Sequence, residues 1–194
     1  EILNADKTVS NPNGTIELSG NIKISFTSGE TKKQLSCDSL ILDPENKKIT
    51  AFDNVVFSDP DSKDSKLGTV EADIVTFFYD SQNLIISGGT TQTNRTTSED
   101  KKVTFYTSGS LLNYRASDGG LLFKEGFITS NQENAYSSIT AKNLALLDGG
   151  DMFMTNAFLS IGRVPIIYLP VFFYPGSTLV GNPAFGFKSS MGMF

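Results

Sequence analysis

The 194-residue chain contains no histidine, no tryptophan and a single cysteine, Cys37. Zinc and related transition metals are held mainly by His and Cys ligands, so this inventory excludes a metal site of that type. It equally excludes a Ser–His or Cys–His catalytic pair built from this chain alone. We therefore expect neither a metal nor another cofactor.

Cys37 lies in the stretch "LSCDSLIL", which has the pattern of a β-strand. A lone cysteine in such a stretch most often serves as a small buried hydrophobe. The alternative is a disulfide with a partner outside these residues.

The chain also lacks concentrated positive charge and long apolar runs. Its formal net charge is −5, and no basic patch is present, so we expect no nucleic-acid partner. No run reaches the roughly 18 apolar residues of a transmembrane helix. No export-signal pattern opens the chain, and we expect any such signal to have been removed before Glu1.

Apolar and polar residues alternate with a period of two along the whole chain, and the periodicity of a helix is not found. In "GNIKISF" the apolar residues Ile22, Ile24 and Phe26 alternate with polar ones. Segments such as "DPEN", "DSQN", "ASDGG" and "LDGG" separate the alternating runs and have the composition of turns. The sequence therefore predicts an all-β chain.

The strands form a repeat of about 35 residues, seen in segments 36–57, 71–92, 107–128 and 140–161. Each copy has a small residue, an apolar strand, a polar turn and a second apolar strand. The small residues are Cys37, Ala72, Ser108 and Ala141. Repeats of this kind predict stacked rungs and not a Greek-key sandwich, and the two open ends of the stack must be capped or docked onto another chain.

A different composition follows the last repeat, in "RVPIIYLPVFFYPG" at 163–176. Proline cannot donate a hydrogen bond to a strand ladder, so prolines five residues apart exclude a central strand or a long helix here. Aromatic, proline-stiffened segments suit a membrane–water interface. The following "AFGFKSSMGMF" alternates as the first strand of a transmembrane barrel would.

These two features together resemble a known family. The repeats are similar to the OstA-like repeats of lipopolysaccharide-transport proteins, which LptA, LptC and LptD share. The C-terminal run resembles the junction between the periplasmic domain and the barrel in the LptD family. The matching residues of the junction are Val164, Pro165, Tyr168, Leu169, Pro170, Phe172, Pro175, Gly181, Pro183, Gly186 and Phe187.

The resemblance implies a twisted β-jellyroll of stacked repeats with an open apolar groove over residues 1–162. Residues 163–194 would then be the junction and first strand of an outer-membrane barrel that continues beyond this chain. The implied function is lipid transport at the periplasmic face of the outer membrane. A periplasmic bridge protein similar to LptA would deliver lipopolysaccharide or a related glycolipid by edge-strand docking, around Ile16 to Phe26. An LptE-like lipoprotein would accompany the full barrel.

The expected site residues follow from this reading. The acyl chains are expected to contact apolar strand residues, namely Ile22, Ile24, Phe26, Leu40, Leu42, Phe57, Ile74, Phe78, Ile86, Leu112, Phe123, Phe127, Leu144, Leu146, Phe153 and Phe158. The membrane junction and gate are expected at Pro165, Tyr168, Pro170, Phe172, Phe173, Pro175 and Pro183. In the family, a proline equivalent to Pro183 weakens pairing of the first barrel strand.

Two departures from the family pattern leave the lipid species open. Cys37 does not stand where the family's disulfide cysteines stand, and Arg163 is the only arginine near the junction.

Three other functions remain as alternatives. The first is an LptA-type bridge protein, and the second is a structural or adhesive β-repeat protein. The third is a polysaccharide-active enzyme using Asp38 and Asp73, whose equivalents in later repeats are Gly109 and Lys142. That loss of carboxylates indicates that the protein is not an enzyme.

Overall fold

The computed structural model describes residues 2–28, 31–58, 68–96, 102–130, 136–147 and 151–174, together with 187–188 and 192–193. All regular structure in these residues is β, as the alternation predicts. The strands are β1 (Ile2–Asn4), β2 (Lys7–Ser10), β3 (Ile16–Ser28), β4 (Thr31–Asp43), β5 (Lys48–Ser58), β6 (Thr69–Phe78), β7 (Asn83–Thr96), β8 (Lys102–Arg115), β9 (Gly120–Thr129), β10 (Ser137–Leu146), β11 (Met152–Ile161), β12 (Val164–Tyr174), β13 (Phe187–Lys188) and β14 (Gly192–Met193).

Strands β1 to β12 form one antiparallel sheet in which each long strand pairs with the next one along the chain. The short strands β1 and β2 both pair with β3 and together make one interrupted edge. Strand β12 forms the other edge, so the sheet is open and not closed into a barrel. β13 and β14 pair only with each other.

The predicted turn chemistry is present between the strands. The Asp43 carboxylate accepts a hydrogen bond from the Asn46 backbone N–H at 3.0 Å. The Asp118 carboxylate likewise accepts from the Gly120 N–H at 3.0 Å. These side chains hold the "DPEN" and "ASDGG" turns in place, because a carboxylate oxygen satisfies backbone donors that the ladder leaves unpaired.

A kink interrupts every second long strand near its middle. Residues at the kinks adopt positive φ in β3, β5, β7, β9 and β11, at Gly20 and Asn21, Asp53 and Asn54, Gly88, Glu125 and Asn156. In β3 and β5 the kink is a β-bulge, because the register with the neighbouring strands shifts there by one residue, and a bulge bends its strand. In β7, β9 and β11 the register continues through the kink. Since the five kinks recur with the sequence repeat, they align into a line of bends that crosses the sheet.

The bends fold the sheet into two facing layers. Phe57 pairs with Val70 on β6, and Phe77 lies seven residues further along β6. A straight strand would separate those two positions by about 23 Å. The rings of Phe57 and Phe77 are nevertheless 6.5 Å apart, and those of Phe26 and Phe77 are 5.0 Å apart. The two halves of each strand therefore face one another, an arrangement consistent with a β-jellyroll-like fold.

Small residues line the inner side of the fold line. A continuous row of cross-strand neighbours runs from β6 to β11 through Ala72, Gly89, Gly109, Gly126, Ala141 and Ala157. A side chain there would enter the narrow angle between the layers. A Cβ on Gly109 would lie 2.9 Å from the Lys124 carbonyl oxygen, and one on Gly126 would lie 3.1 Å from Leu144 Cβ. Two of the repeat's small residues, Ala72 and Ala141, belong to this row, where the bend leaves no room for a larger side chain.

Two positional expectations change. The segment Ile16 to Phe26 is not an edge, because β3 is paired with β1 and β2 on one side and with β4 on the other. The corresponding edge is β1–β2, so the prediction of its position is wrong. The expected domain boundary after residue 162 falls in the β11–β12 turn, and β12 continues the same sheet.

Replacing Gly109 with alanine should lower the free energy of unfolding by about 1–3 kcal/mol, because the added Cβ meets a backbone oxygen that cannot move aside. Gly126→Ala is the matched control in the same row. Its Cβ would lie 3.1 Å from Leu144 Cβ and 3.2 Å from Phe123 Cβ, a milder overlap than the 2.9 Å at Gly109, so the loss should be smaller. Urea unfolding monitored by circular dichroism measures both. A larger loss at Gly126 than at Gly109 would contradict this account of the fold line.

Candidate functional site

The facing layers enclose a continuous apolar stripe, here called the inner face. Most of the predicted lipid-contact residues belong to it. Those fully buried are Ile22, Ile24, Leu40, Phe57, Ile86, Leu112, Phe123, Leu144 and Leu146, and those partly buried against them are Phe26 and Leu42. The folded sheet therefore brings residues from seven different strands onto one surface.

Five of the predicted contacts lie on the opposite, outer face. Ile74, Phe153 and Phe158 are 37%, 39% and 42% exposed. Phe78 and Phe127 are partly exposed and stand out of phase with their buried neighbours, Phe77 and Ile128. The in–out alternation shifts by one residue where each of these strands crosses the fold line, so the phase read on one side of that line fails on the other.

The same phase shift hid other inner-face residues from sequence reasoning. Each half-strand does alternate, and a separate phase for each half would have identified them. The inner-face residues missed in this way are Leu18, Leu35, Val55, Val70, Val75, Phe77, Leu84, Leu121, Ile128 and Met154.

The inner face is filled by its own side chains. Phe57 and Phe123 are 1% and 2% exposed, and the rings of Phe26, Phe57 and Phe77 form one contact cluster between the layers. Partly buried side chains carry the stripe to the last strand, where Leu169 and Phe172 pack against the buried core. The stripe thus runs from β3 to β12 without interruption.

The junction segment is an edge strand, which explains its prolines. Pro165 pairs with Ser160 beside a register shift, and Pro170 stands between the pairs Thr155–Val171 and Ala157–Leu169, opposite Asn156, which has a positive φ. Both prolines therefore occupy irregular points of an edge ladder, where a missing N–H costs little. Pro175 and Pro183 lie outside the described residues.

Strands β11 and β12 carry an exposed apolar surface on their outer face. The outer aromatic patch consists of Phe153, Phe158, Tyr168, Val171 and Phe173. The Tyr168 ring lies 4.9 Å from that of Phe158, and its hydroxyl donates a hydrogen bond to Asn156 Oδ1 at 2.7 Å. Neither strand contains a charged residue. Contiguous exposed apolar surface of this kind is typical of an interaction site.

Phe172 differs from the other predicted junction residues, because it packs on the inner face while Tyr168 and Phe173 face outward.

Among the described residues there is no helix with the length and apolarity that crossing a membrane requires.

The acidic residues of the repeat lie along the fold line on its outer side. Asp38 accepts a hydrogen bond from Asn54 Nδ2 at 2.6 Å, and a Cβ on Gly88 would collide with Asp73. Both aspartates are exposed. They therefore flank the kinks, and within the described part of the chain no group of three His, Cys, Asp or Glu side chains is placed to hold a metal ion.

Cys37 is a free, buried thiol on the inner face, 4% exposed. Burial, together with the neighbouring charge of Asp38, raises the pKa of the thiol from 9.0 to about 11. Backbone hydrogen bonds from Phe52 and Ser39 oppose this shift. The thiol is consequently neutral and unreactive at ordinary pH.

No protein-family model matches this chain, and no curated protein matches it.

The free energy of unfolding should fall as pH rises from about 9 toward about 11. In that window the unfolded chain releases the Cys37 proton, whereas the folded chain retains it, so the unfolded state is favoured increasingly. Below pH 9 the effect should be absent. Denaturant unfolding of the chain and of Cys37→Ala on either side of pH 9 isolates this contribution from that of other groups. Equal pH slopes for the two proteins would contradict it.

Lysine substitutions at two adjacent positions of β12 should show which residue belongs to the inner face and which to the outer face. Phe172→Lys puts a charge among inner-face residues and should lower the free energy of unfolding by about 2–4 kcal/mol. Val171→Lys, on a side chain that is 63% exposed, should change it by no more than about 0.5 kcal/mol. Urea unfolding compares them, and similar losses at both positions would rule out the assigned strand phase.

Proposed function

We propose that this chain is a lipid-transport module of the LptD type. It receives lipopolysaccharide or a related glycolipid from a periplasmic bridge protein and passes it toward an outer-membrane barrel. The observation that carries the proposal is the uninterrupted inner face, which crosses the sheet from one edge region to the other. The resemblance of the repeats and of the junction run to this family supplies the substrate class.

The inner face has the extent that a lipid path needs. Ten strands, β3 to β12, contribute to it, and neighbouring strands lie about 4.8 Å apart, so the stripe extends over about 43 Å. Each methylene kept from water is worth about 0.8 kcal/mol, so a transported acyl chain needs apolar contact without gaps.

Lipid entry requires the layers to separate, because their side chains fill the space between them. Among the described residues, the strands themselves connect the two layers through the fold line, and the sheet is open at both edges. Separation therefore breaks apolar contacts, such as those among Phe26, Phe57 and Phe77, without breaking the ladder. An acyl chain that replaces those contacts restores much of the lost burial.

The two edges suit two different neighbours in this proposal. The β1–β2 edge offers exposed polar residues and an unpaired ladder side to the strand of a LptA-like bridge protein. The outer aromatic patch and the prolines of β12 lie where the chain would meet the outer membrane, its barrel and an LptE-like lipoprotein. The lipid species stays open.

A structural or adhesive β-repeat protein is the second candidate. The near-complete burial of Phe57 and Phe123 favours it, because a permanently packed core has no need to open.

Photo-crosslinking in cells tests the transport proposal. Benzoylphenylalanine at Phe26, which is partly buried on the inner face, should form lipid adducts that an anti-glycolipid blot detects. The same replacement at Phe123 tests the centre of the stripe. Because lipid is expected only between the layers, the matched outer-face position Phe78 should give none.

Exposed Tyr136, outside the stripe, is a second control for nonspecific labelling. Adducts at Phe26 and Phe123 but at neither control would support transport. Protein adducts alone, or lipid adducts equally frequent at Phe78, would favour the structural candidate.

A further inference from the structure

A polar cavity of about 210 Å³ lies away from the inner face and from the outer aromatic patch. It is formed by the central strands β6 to β9, on the side of the fold line that contains Val70 and Ile128. Its lining residues are Thr69, Glu71, Thr90, Thr91, Gln92, Tyr106, Thr107, Ser108, Phe127 and Thr129.

Strand register places the walls of the cavity in two parallel rows. The first row runs across the sheet through Thr69, Gln92, Tyr106 and Thr129. The second runs through Glu71, Thr90, Ser108 and Phe127. The two rows are two residues apart along the strands, so their side chains point to the same face. Residues of the intervening row, Thr91 and Thr107, form the floor and are buried.

Two aromatic rings stand diagonally within these rows. Tyr106 is opposite Thr129, and Phe127 is two residues before Thr129, so the two aromatic positions are diagonal neighbours about 7–8 Å apart. Neither ring contacts another described aromatic ring. Both are only partly buried.

Several polar side chains of the rows are available as well. Thr69, Thr90, Gln92, Tyr106 and Ser108 form no side-chain hydrogen bond with other described residues. Their hydroxyl and amide groups both donate and accept. The lining contains one carboxylate, Glu71, and no lysine or arginine. An anionic ligand would therefore meet a like charge and no counter-charge.

We infer that this cavity is a binding site for one ring of a neutral saccharide. A sugar ring has apolar C–H faces that pack on aromatic side chains and hydroxyls at its rim that pair with threonine, serine, glutamine and carboxylate groups. The volume is below the roughly 300–1,000 Å³ of pockets for drug-sized ligands, which suits a single ring. The assignment depends on cavity residues alone and stands whether or not the chain transports lipid.

Backbone-amide NMR titration of the whole chain with glucose and with N-acetylglucosamine tests this site. At least one of the two sugars should give saturable shifts at Thr90, Gln92, Tyr106 and Ser108, with a dissociation constant in the region of about 1–10 mM. Tyr106→Ala and Phe127→Ala should each weaken binding at least about tenfold, because each removes a stacking surface. Tyr136→Ala, which removes an exposed tyrosine elsewhere, should leave the affinity unchanged.

The Glu71→Gln variant distinguishes the effect of the cavity's negative charge on sugar binding from the effect of its shape. Glucose 6-phosphate should bind the unaltered chain more weakly than glucose does, and Glu71→Gln should reduce that difference. The absence of saturable shifts with both sugars would overturn the assignment. So would equal or tighter binding of glucose 6-phosphate, binding of butylamine at the same amides, or sugar binding that survives both aromatic substitutions.

Octyl glucoside below its micelle concentration distinguishes a glycolipid headgroup from a free glycan. Binding of octyl glucoside at the cavity amides at least about tenfold tighter than that of glucose, because the octyl chain buries apolar surface beside the cavity, would support a glycolipid as the source of the sugar. Shifts confined to the cavity, with the same affinity as glucose, would support a free glycan.

Discussion

The line of kinks across the sheet is the constraint on which the rest of the structure depends. Without it, twelve antiparallel strands would form one extended sheet with an apolar face open to water. Five kinks, from Asn21 in β3 to Asn156 in β11, bend the sheet along one line, and the apolar face closes on itself. The hydrophobic effect drives the closure, and the kinks set the line along which the sheet bends. The row from Ala72 to Ala157 lets the layers approach at that line.

Folding a single sheet in this way differs from packing two separate sheets. Each long strand contributes to both layers, so one sheet continues from layer to layer through the bend, and apolar side-chain contacts such as those of Phe26, Phe57 and Phe77 hold the layers together. Opening therefore requires mainly the loss of apolar packing. A protein that must admit a lipid without unfolding benefits from this separation of the two interactions, which is why the fold is compatible with the proposed transport role.

The outer face is divided into regions of different chemistry. Strands β11 and β12 expose aromatic and aliphatic side chains without charge, as in Phe153 and Val171. The fold line is acidic, with Asp38 and Asp73 beside the kinks. Between these regions, β6 to β9 present hydroxyl, amide and aromatic groups around a cavity. The repeat thus conserves an apolar inner face, while each strand pair varies its outward residues, and separate functions are able to occupy one sheet.

The sequence by itself determined the β class, the repeat and the turns, and it excluded a central strand for the proline-rich run, because these depend on local alternation, turn chemistry and the missing N–H of Pro165 and Pro170. It also indicated most of the inner-face residues, such as Ile86 and Phe123. Only the tertiary structure decided that this run is an edge strand of the same sheet and which face Ile74, Phe153 and Phe158 occupy, since the alternation reverses at the fold line and that line is set by cross-strand pairing. The polar cavity likewise exists only in three dimensions, because register brings together residues as distant in the chain as Thr69 and Phe127.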